Sequence, residues 1–265
     1  VSGIRTDVKR MLARTGSGRP AQGATLLIYH RVGGGAEDEL DVRVADFEAQ
    51  LDVLADHRVA SLDEAMDATE AGDQAGRVVL TFDDGFADVY HNAWPLLRER
   101  EMPFTVYVAS KYVGGVMHWP GSTATDVAAP ALTWTQLEEM VASGLCTIGN
   151  HTHSHVRPEQ LDPQELDRCT GELRERLGVV PRHFAYTWGV PVPAMEAALR
   201  ARFRSAATGR VGRHLPGEDP IRMARVPVRR TDPVEFFEAK LGRRLTAERL
   251  YGGIVATAKR AGVRA

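Results

Sequence analysis

The sequence predicts an α/β fold, a distorted (β/α)7-type barrel of about seven strands. Three observations predict it. Short apolar or β-branched runs alternate with stretches of helical period along most of the chain. A length of 265 residues suits one barrel-sized domain with a large core. Residues able to do chemistry stand where predicted strands end, the edge that carries function in such folds.

The elements follow in order. Residues 1–20 read as a short amphipathic helix, with Ile4, Val8, Met11 and Leu12 on one face and Arg5, Lys9, Arg10 and Arg14 largely elsewhere. Residues 1–22 are therefore expected to form an arm, either docked on its own domain or in peripheral contact with an anionic membrane surface. Residues 23–265 are expected to form the main domain. Its strands are expected at 24–30, 77–83, 104–109, 145–150, 182–187, 203–208 and 223–229. Helical patterns cover 44–57, 91–100, 135–143, 163–177 and 193–201, with closing helices at 233–241 and 247–261. The pair Gly114-Gly115 and the stretch Gly121-Ser122-Thr123-Ala124-Thr125 suggest a mobile loop. His118 and Trp119 sit on it, available to touch a ligand or to pack the loop.

Composition narrows the classes. Apolar residues at 43% and charged residues at 26% are ordinary for a globular protein. A net charge of −2 argues against a nucleic-acid binder driven by bulk charge. No apolar stretch reaches the roughly eighteen residues of a membrane span. No hydrophobic signal region opens the chain, so a cytoplasmic location is expected. Cys146 and Cys169 are expected to be free thiols, a disulfide being the alternative.

Two motifs carry the chemistry. Thr81-Phe82-Asp83-Asp84-Gly85 puts two carboxylates at the end of the buried run Arg77–Phe82. Adjacent side chains on an extended backbone point opposite ways, so the two can take different tasks. Taken alone, the pair also fits a solvated turn. Downstream, His151-Thr152-His153-Ser154-His155 supplies three histidines in five residues. A helical turn would put His151 and His155 on one face, and an extended strand would align all three. Either geometry chelates. Together the motifs offer a carboxylate and imidazoles to hold a divalent ion, and a spare carboxylate to activate water.

Both motifs resemble those of the NodB-homology polysaccharide deacetylases, the fourth carbohydrate esterase family, and the resemblance covers roughly residues 24 to 230. It implies Asp83 as general base, Asp84, His151 and His155 as metal ligands, and His153 as the variable position between them. Phe184-Ala185-Tyr186-Thr187-Trp188-Gly189 resembles the third motif, with Thr187 where a proline is usual and Ala185 where an arginine is usual. The resemblance assigns Tyr186 and Trp188 to the substrate pocket and the Trp188 N–H to the oxyanion. The family's late Leu-x-His motif is missing, since no histidine follows His214. The opening run Thr25-Leu26-Leu27-Ile28-Tyr29-His30-Arg31-Val32 instead resembles the start of circularly permuted members, which include the poly-N-acetylglucosamine deacetylases. Permutation would make His30 the general acid, with His214 as the fallback. Arg222-Met223-Ala224-Arg225-Val226-Pro227-Val228 resembles their late arginine segment, so Arg225 is expected beside Asp83, in place of the arginine missing from the third motif.

The resemblance implies one divalent metal ion, zinc first, with cobalt or nickel as alternatives. It also implies removal of an N-acetyl group from an amino sugar, here a small intracellular precursor or a glycosylated small molecule. Two other readings compete: a non-sugar amidase on the same metal site, and a catalytically silent carbohydrate-binding protein.

Overall fold

The computed structural model describes residues 2–15, 21–119, 122 and 129–260. Seven parallel strands close into a barrel in the order β1 (Ala24–Tyr29), β4 (Arg77–Phe82), β5 (Phe104–Val108), β6 (Cys146–Asn150), β7 (His183–Ala185), β8 (Ser205–Val211) and β9 (Met223–Pro227). Strand β1 pairs with both β4 and β9, so closure joins the first strand to the last. Two short strands, β2 (Arg31–Val32) and β3 (Asp41–Val42), pair with each other beside the mouth. They are too short to show a period in sequence.

Parity along the strands divides the core, as alternation requires. Leu27, Tyr29, Leu80, Phe82, Val106, Val108, Ile148 and Val226 join the layer between sheet and helices. Leu26, Val79, Tyr107, Ala185, Ala207 and Met223 form a second cluster inside the barrel. The next residues of that inward parity include Asp83 and Arg225, which therefore point into the mouth at the carboxyl ends of the strands.

The helices are α1 (Ser2–Ala13), α2 (Val44–Leu54), α3 (Leu62–Glu70), α4 (Trp94–Glu99), α5 (Trp134–Ala142), α6 (Pro163–Leu177), α7 (Glu196–Arg200), α8 (Val234–Leu241) and α9 (Thr246–Arg260). The expected segment 91–100 begins as a π turn, Val89–Ala93, before α4. Helix α3 is not among the helices expected from sequence. A capping box opens it: the Glu64 N–H donates to Ser61 Oγ at 3.2 Å, and the Ser61 N–H donates to Glu64 Oε2 at 2.8 Å. Leu62, Ala65 and Met66 of α3 pack with Ala24 and Leu26, so α3 plugs the end of the barrel opposite the mouth.

Helix α1 docks on α8 and α9. The face it buries differs from the apolar stripe expected: Leu12 is buried, but so is Lys9, while Ile4 and Met11 stay exposed. The Lys9 ammonium donates to Thr231 Oγ1 at 2.6 Å and to Asp232 Oδ1 at 2.7 Å, which turns the helix by ion pairing as well as by apolar burial. No helix among the described residues is long and apolar enough to cross a membrane. Cys146 and Cys169 are free and buried.

Candidate metal and active site

Strand β4 ends at Phe82, and the chain turns sharply. Asp84 takes φ +77° and Gly85 φ +98°. This turn separates the two neighbouring carboxylates. Asp83 faces Arg225, and Asp84 faces the histidines. Thr152 (φ +66°), His155 (φ +51°) and Trp188 (φ +61°) also adopt the left-handed region. Such residues cost about 1–3 kcal/mol each and persist where packing over-determines them. Four of the five non-glycine cases among the described residues lie at this mouth.

The ligand set is compact. His151 Nε2 and His155 Nε2 each lie 3.2 Å from Asp84 Oδ1. Their ligand atoms fall within 4.8 Å of one another, and all three residues are buried. His151 Nδ1 lies 2.8 Å from the Ala185 carbonyl, which orients the ring so that Nε2 faces the cluster. Burial opposes ionisation of Asp84, but His155 and His151 beside it hold the carboxyl well below its usual range. A buried carboxylate and two imidazole nitrogens converging on one point are the donor set a divalent ion takes. His153 turns away, its Nδ1 3.1 Å from Ser110 Oγ and 3.3 Å from Glu172 Oε2.

Asp83 forms a two-pronged pair with Arg225: Nη1 to Oδ1 at 2.7 Å and Nη2 to Oδ2 at 2.8 Å. Arg225 is 1% exposed. Its Nε donates to the Thr208 carbonyl at 3.0 Å, and it sits 5.7 Å over the Tyr107 ring. Burial alone would raise the Asp83 pKa; the Arg225 guanidinium outweighs it and holds the carboxyl below its usual value.

These groups open on a cavity of about 260 Å³. His30 lines it from the end of β1, half-buried, and Ile28 and Leu40 border the same side. Trp119 stacks on the His155 ring at 4.1 Å and packs 6.3 Å from Phe86, so it serves both the cavity wall and the loop. His118 is exposed and does not line the cavity. The rest of the expected loop, apart from Ser122, which lines the cavity, lies outside the described residues from 120 to 128. Trp188 is 39% exposed at the rim, its ring 5.6 Å from His155 and under the Arg157 guanidinium at 5.0 Å. Gly189 is required next to it: a Cβ there would stand 2.7 Å from the Gly209 Cα, so only two glycines let this turn lie against β8.

Two expected residues lie elsewhere. The Tyr186 side chain is 1% exposed, packed 5.2 Å from Phe184, and does not line the cavity, because inward parity at this strand end falls on Ala185 and leaves Tyr186 among the outer side chains. His214 pairs with Ala24 at the foot of β1 and borders a different cavity. Leu40 and Gly209 carried no sequence signal. Their place in the wall comes from chain segments brought together only by barrel closure.

The sequence profile described as polysaccharide deacetylase matches residues 71–202. The structure of IcaB from Ammonifex degensii is 30% identical, with a TM-score of 0.72, and the match covers 84% of this chain and 98% of that one. A Streptococcus pyogenes deacetylase, PplD, solved with acetate, shares the fold with a TM-score of 0.68 at 22% identity, over 84% of this chain and 99% of that one. The Bacillus subtilis (strain 168) protein YxkH, which carries a polysaccharide deacetylase name, is 30% identical over 144 residues. That match covers 53% of this chain and 46% of YxkH, so the chain spans about half the length of this curated relative.

Proposed function

Since the chain belongs to the polysaccharide deacetylase family, we propose that it is a metal-dependent hydrolase that removes an N-acetyl group from an amino sugar. The observation that carries the reading is the juxtaposition of two buried clusters at one small cavity: Asp84 with His151 and His155, and Asp83 with Arg225.

In this reading Asp84, His151 and His155 hold a divalent ion, zinc by preference for an N,O donor set, with cobalt or nickel as substitutes. Bound there, the ion would lower the pKa of water towards about 7 and polarise the amide carbonyl. The remaining work belongs to the chain. Asp83, kept ionised by Arg225, takes the proton of the attacking water. The Trp188 N–H, at a turn held against β8 by Gly189 and Gly209, is assigned to the developing oxyanion. His30, on the opposite wall, protonates the departing amine, which is a poor leaving group without it. His214 is set aside as the acid because it sits at the foot of the barrel.

We assign the substrate to small amino-sugar compounds rather than long polymers. The cavity volume of about 260 Å³ and an aromatic content of 7% support this, since polymer grooves rely on rows of aromatic side chains. We also take the chain to be a circularly permuted member. Support comes from the place of His30 on the first strand and of Arg225 on the last, adjacent through barrel closure.

Acetate release from N-acetylated sugars, sugar nucleotides and glycolipids tests the reading, with wild type compared with Asp83→Asn and His30→Ala after metal loading. Release by wild type, lost in both variants while metal content stays equal, is the expected result. Release only from simple amides would transfer the site to a non-sugar amidase. No release from any compound would leave a binding protein.

A further inference from the structure

A second cavity, of about 400 Å³, lies on the outside of the barrel against β8, β9 and the start of α9. Parity separates it from the mouth: Gly209 and Arg225 line the catalytic cavity, whereas their neighbours Arg210 and Ala224 line this one. Four guanidinium groups border it, from Arg210, Arg213, Arg243 and Arg249, against one carboxylate, Glu218. Glu218 is turned to its own loop, accepting from the Leu215 N–H at 3.0 Å.

Several arginines on the described surface face an acid. Arg200 pairs with Asp219, Arg202 with Asp167, Arg204 with Asp63, Asp67 and Glu70, and Arg222 with Glu196. The four in this cavity form no ion pair with any carboxylate among the described residues. Arg213 spends its donors on Thr25 Oγ1 and on the carbonyls of Lys240, Gly242 and Arg243, where it caps the end of α8. Burial, together with the neighbouring Arg249 guanidinium, pushes Arg213 down to about 10. Arg210 reaches only the Arg222 carbonyl, at 3.5 Å. Like charges gathered in a concave site without counter-charges repel one another, and an anion placed among them relieves that repulsion.

We propose that this cavity binds a diphosphate group. Planar guanidinium forks match phosphate oxygens two at a time, and each phosphate brings up to about two negative charges to balance the cluster. A diphosphate fits the surplus of guanidinium groups over the lone carboxylate better than a single carboxylate ligand would. Leu215 and Leu245 supply an apolar border on which the rest of a diphosphate-bearing molecule can lie. The site is independent of the deacetylation reading, since no residue of the catalytic cavity takes part.

The test is titration calorimetry at fixed ionic strength with sodium diphosphate, with adenosine diphosphate as a second arm and sodium chloride as the blank. The double variant Arg243→Gln/Arg249→Gln changes two exposed side chains and spares the α8 cap made by Arg213. Arg168→Gln, on the exposed face of α6, is the control. Saturable binding by wild type and the control, weakened about tenfold or more in the double variant, is the expected result. Tighter binding of adenosine diphosphate than of diphosphate would assign a nucleoside to the remaining volume, and equal binding would assign the bare diphosphate. Failure of both anions to bind above the chloride blank, or equal affinity in wild type and double variant, would overturn the proposal.

Discussion

The molecule buries opposed charges in two places, and they behave differently. On the flank, Lys9, Asp232, Lys240 and Glu248 are 0–1% exposed and ion-paired in a chain, with Glu248 Oε2 held by charge rather than by a hydrogen bond. Lys240 reaches both carboxylates, and Asp232 also accepts from the Arg229 N–H at 2.9 Å. No part of this network borders the catalytic cavity. At the mouth, Asp83 and Arg225 are nearly as buried, but one side of their site is open. There two imidazoles address a single oxygen of Asp84, and His155 Nδ1 has no partner. Charges paired away from any catalytic opening hold elements together, here α1 to α8 and α9. Charges left with one open side, on a strained backbone, are available to a ligand.

If the comparison is right, changes in one region should read out as chemistry and in the other as stability. The largest effect is expected from His151→Ala, which should lower metal content and reduce acetate release by on the order of a thousandfold, with the fold kept. Metal analysis beside activity checks this; unchanged metal content would break the assignment of the ligand set. Next comes Asp232→Asn, which strands two buried ammonium groups and should cost about 3–5 kcal/mol of unfolding free energy. Denaturant titration measures it, and kcat/KM of the folded variant should stay within about fivefold of wild type.

Arg225→Lys lies between the two regions in kind, because it tests whether a buried pair can act on chemistry. A lysine cannot make the two-pronged contact to Asp83, so activity should fall about a hundredfold while metal content is unchanged. Full activity would reduce the pair to a structural one. The smallest effect concerns acid. Burial would raise Asp232, but Lys240 and Lys9 pull it down to about 2. A folded pKa below the unfolded carboxylate value of about 3.9 gives stability that is complete above that value and is lost as pH falls through about 2. The wild type should therefore lose about 2 kcal/mol of stability between pH 4 and pH 2, a dependence that Asp232→Asn lacks, measured by unfolding at each pH.

Much of this was legible in the chain, for local reasons. The barrel strands could be read because parallel strands buried on both faces leave continuous apolar runs, as in Arg77–Phe82 and Phe104–Val108. Asp83, Asp84, His151 and His155 could be read because each pair lies within five residues on a strand end. Helix α3 was legible too, since Leu62, Ala65, Met66 and Thr69 keep helical spacing behind a capping box, but only one of these, Leu62, is a large aliphatic residue. Lys9 was placed off the apolar face of its helix, and nothing near it in sequence shows that Asp232 waits on the buried side.

By itself the sequence determined the alternation of strands and helices and the placing of acids and imidazoles at strand ends. Hydrophobic periodicity and strand termini are properties of neighbouring residues. The tertiary structure alone decided which histidine nitrogens meet Asp84, that the Tyr186 side chain leaves the pocket, and that four distant arginines share one cavity. The Arg225–Asp83 pair, expected from the resemblance, takes its two-pronged form across 142 residues. The physical reason is closure. Strand β1 joins β9 only when the barrel completes, and the side chains of both parities then acquire neighbours that no local pattern encodes.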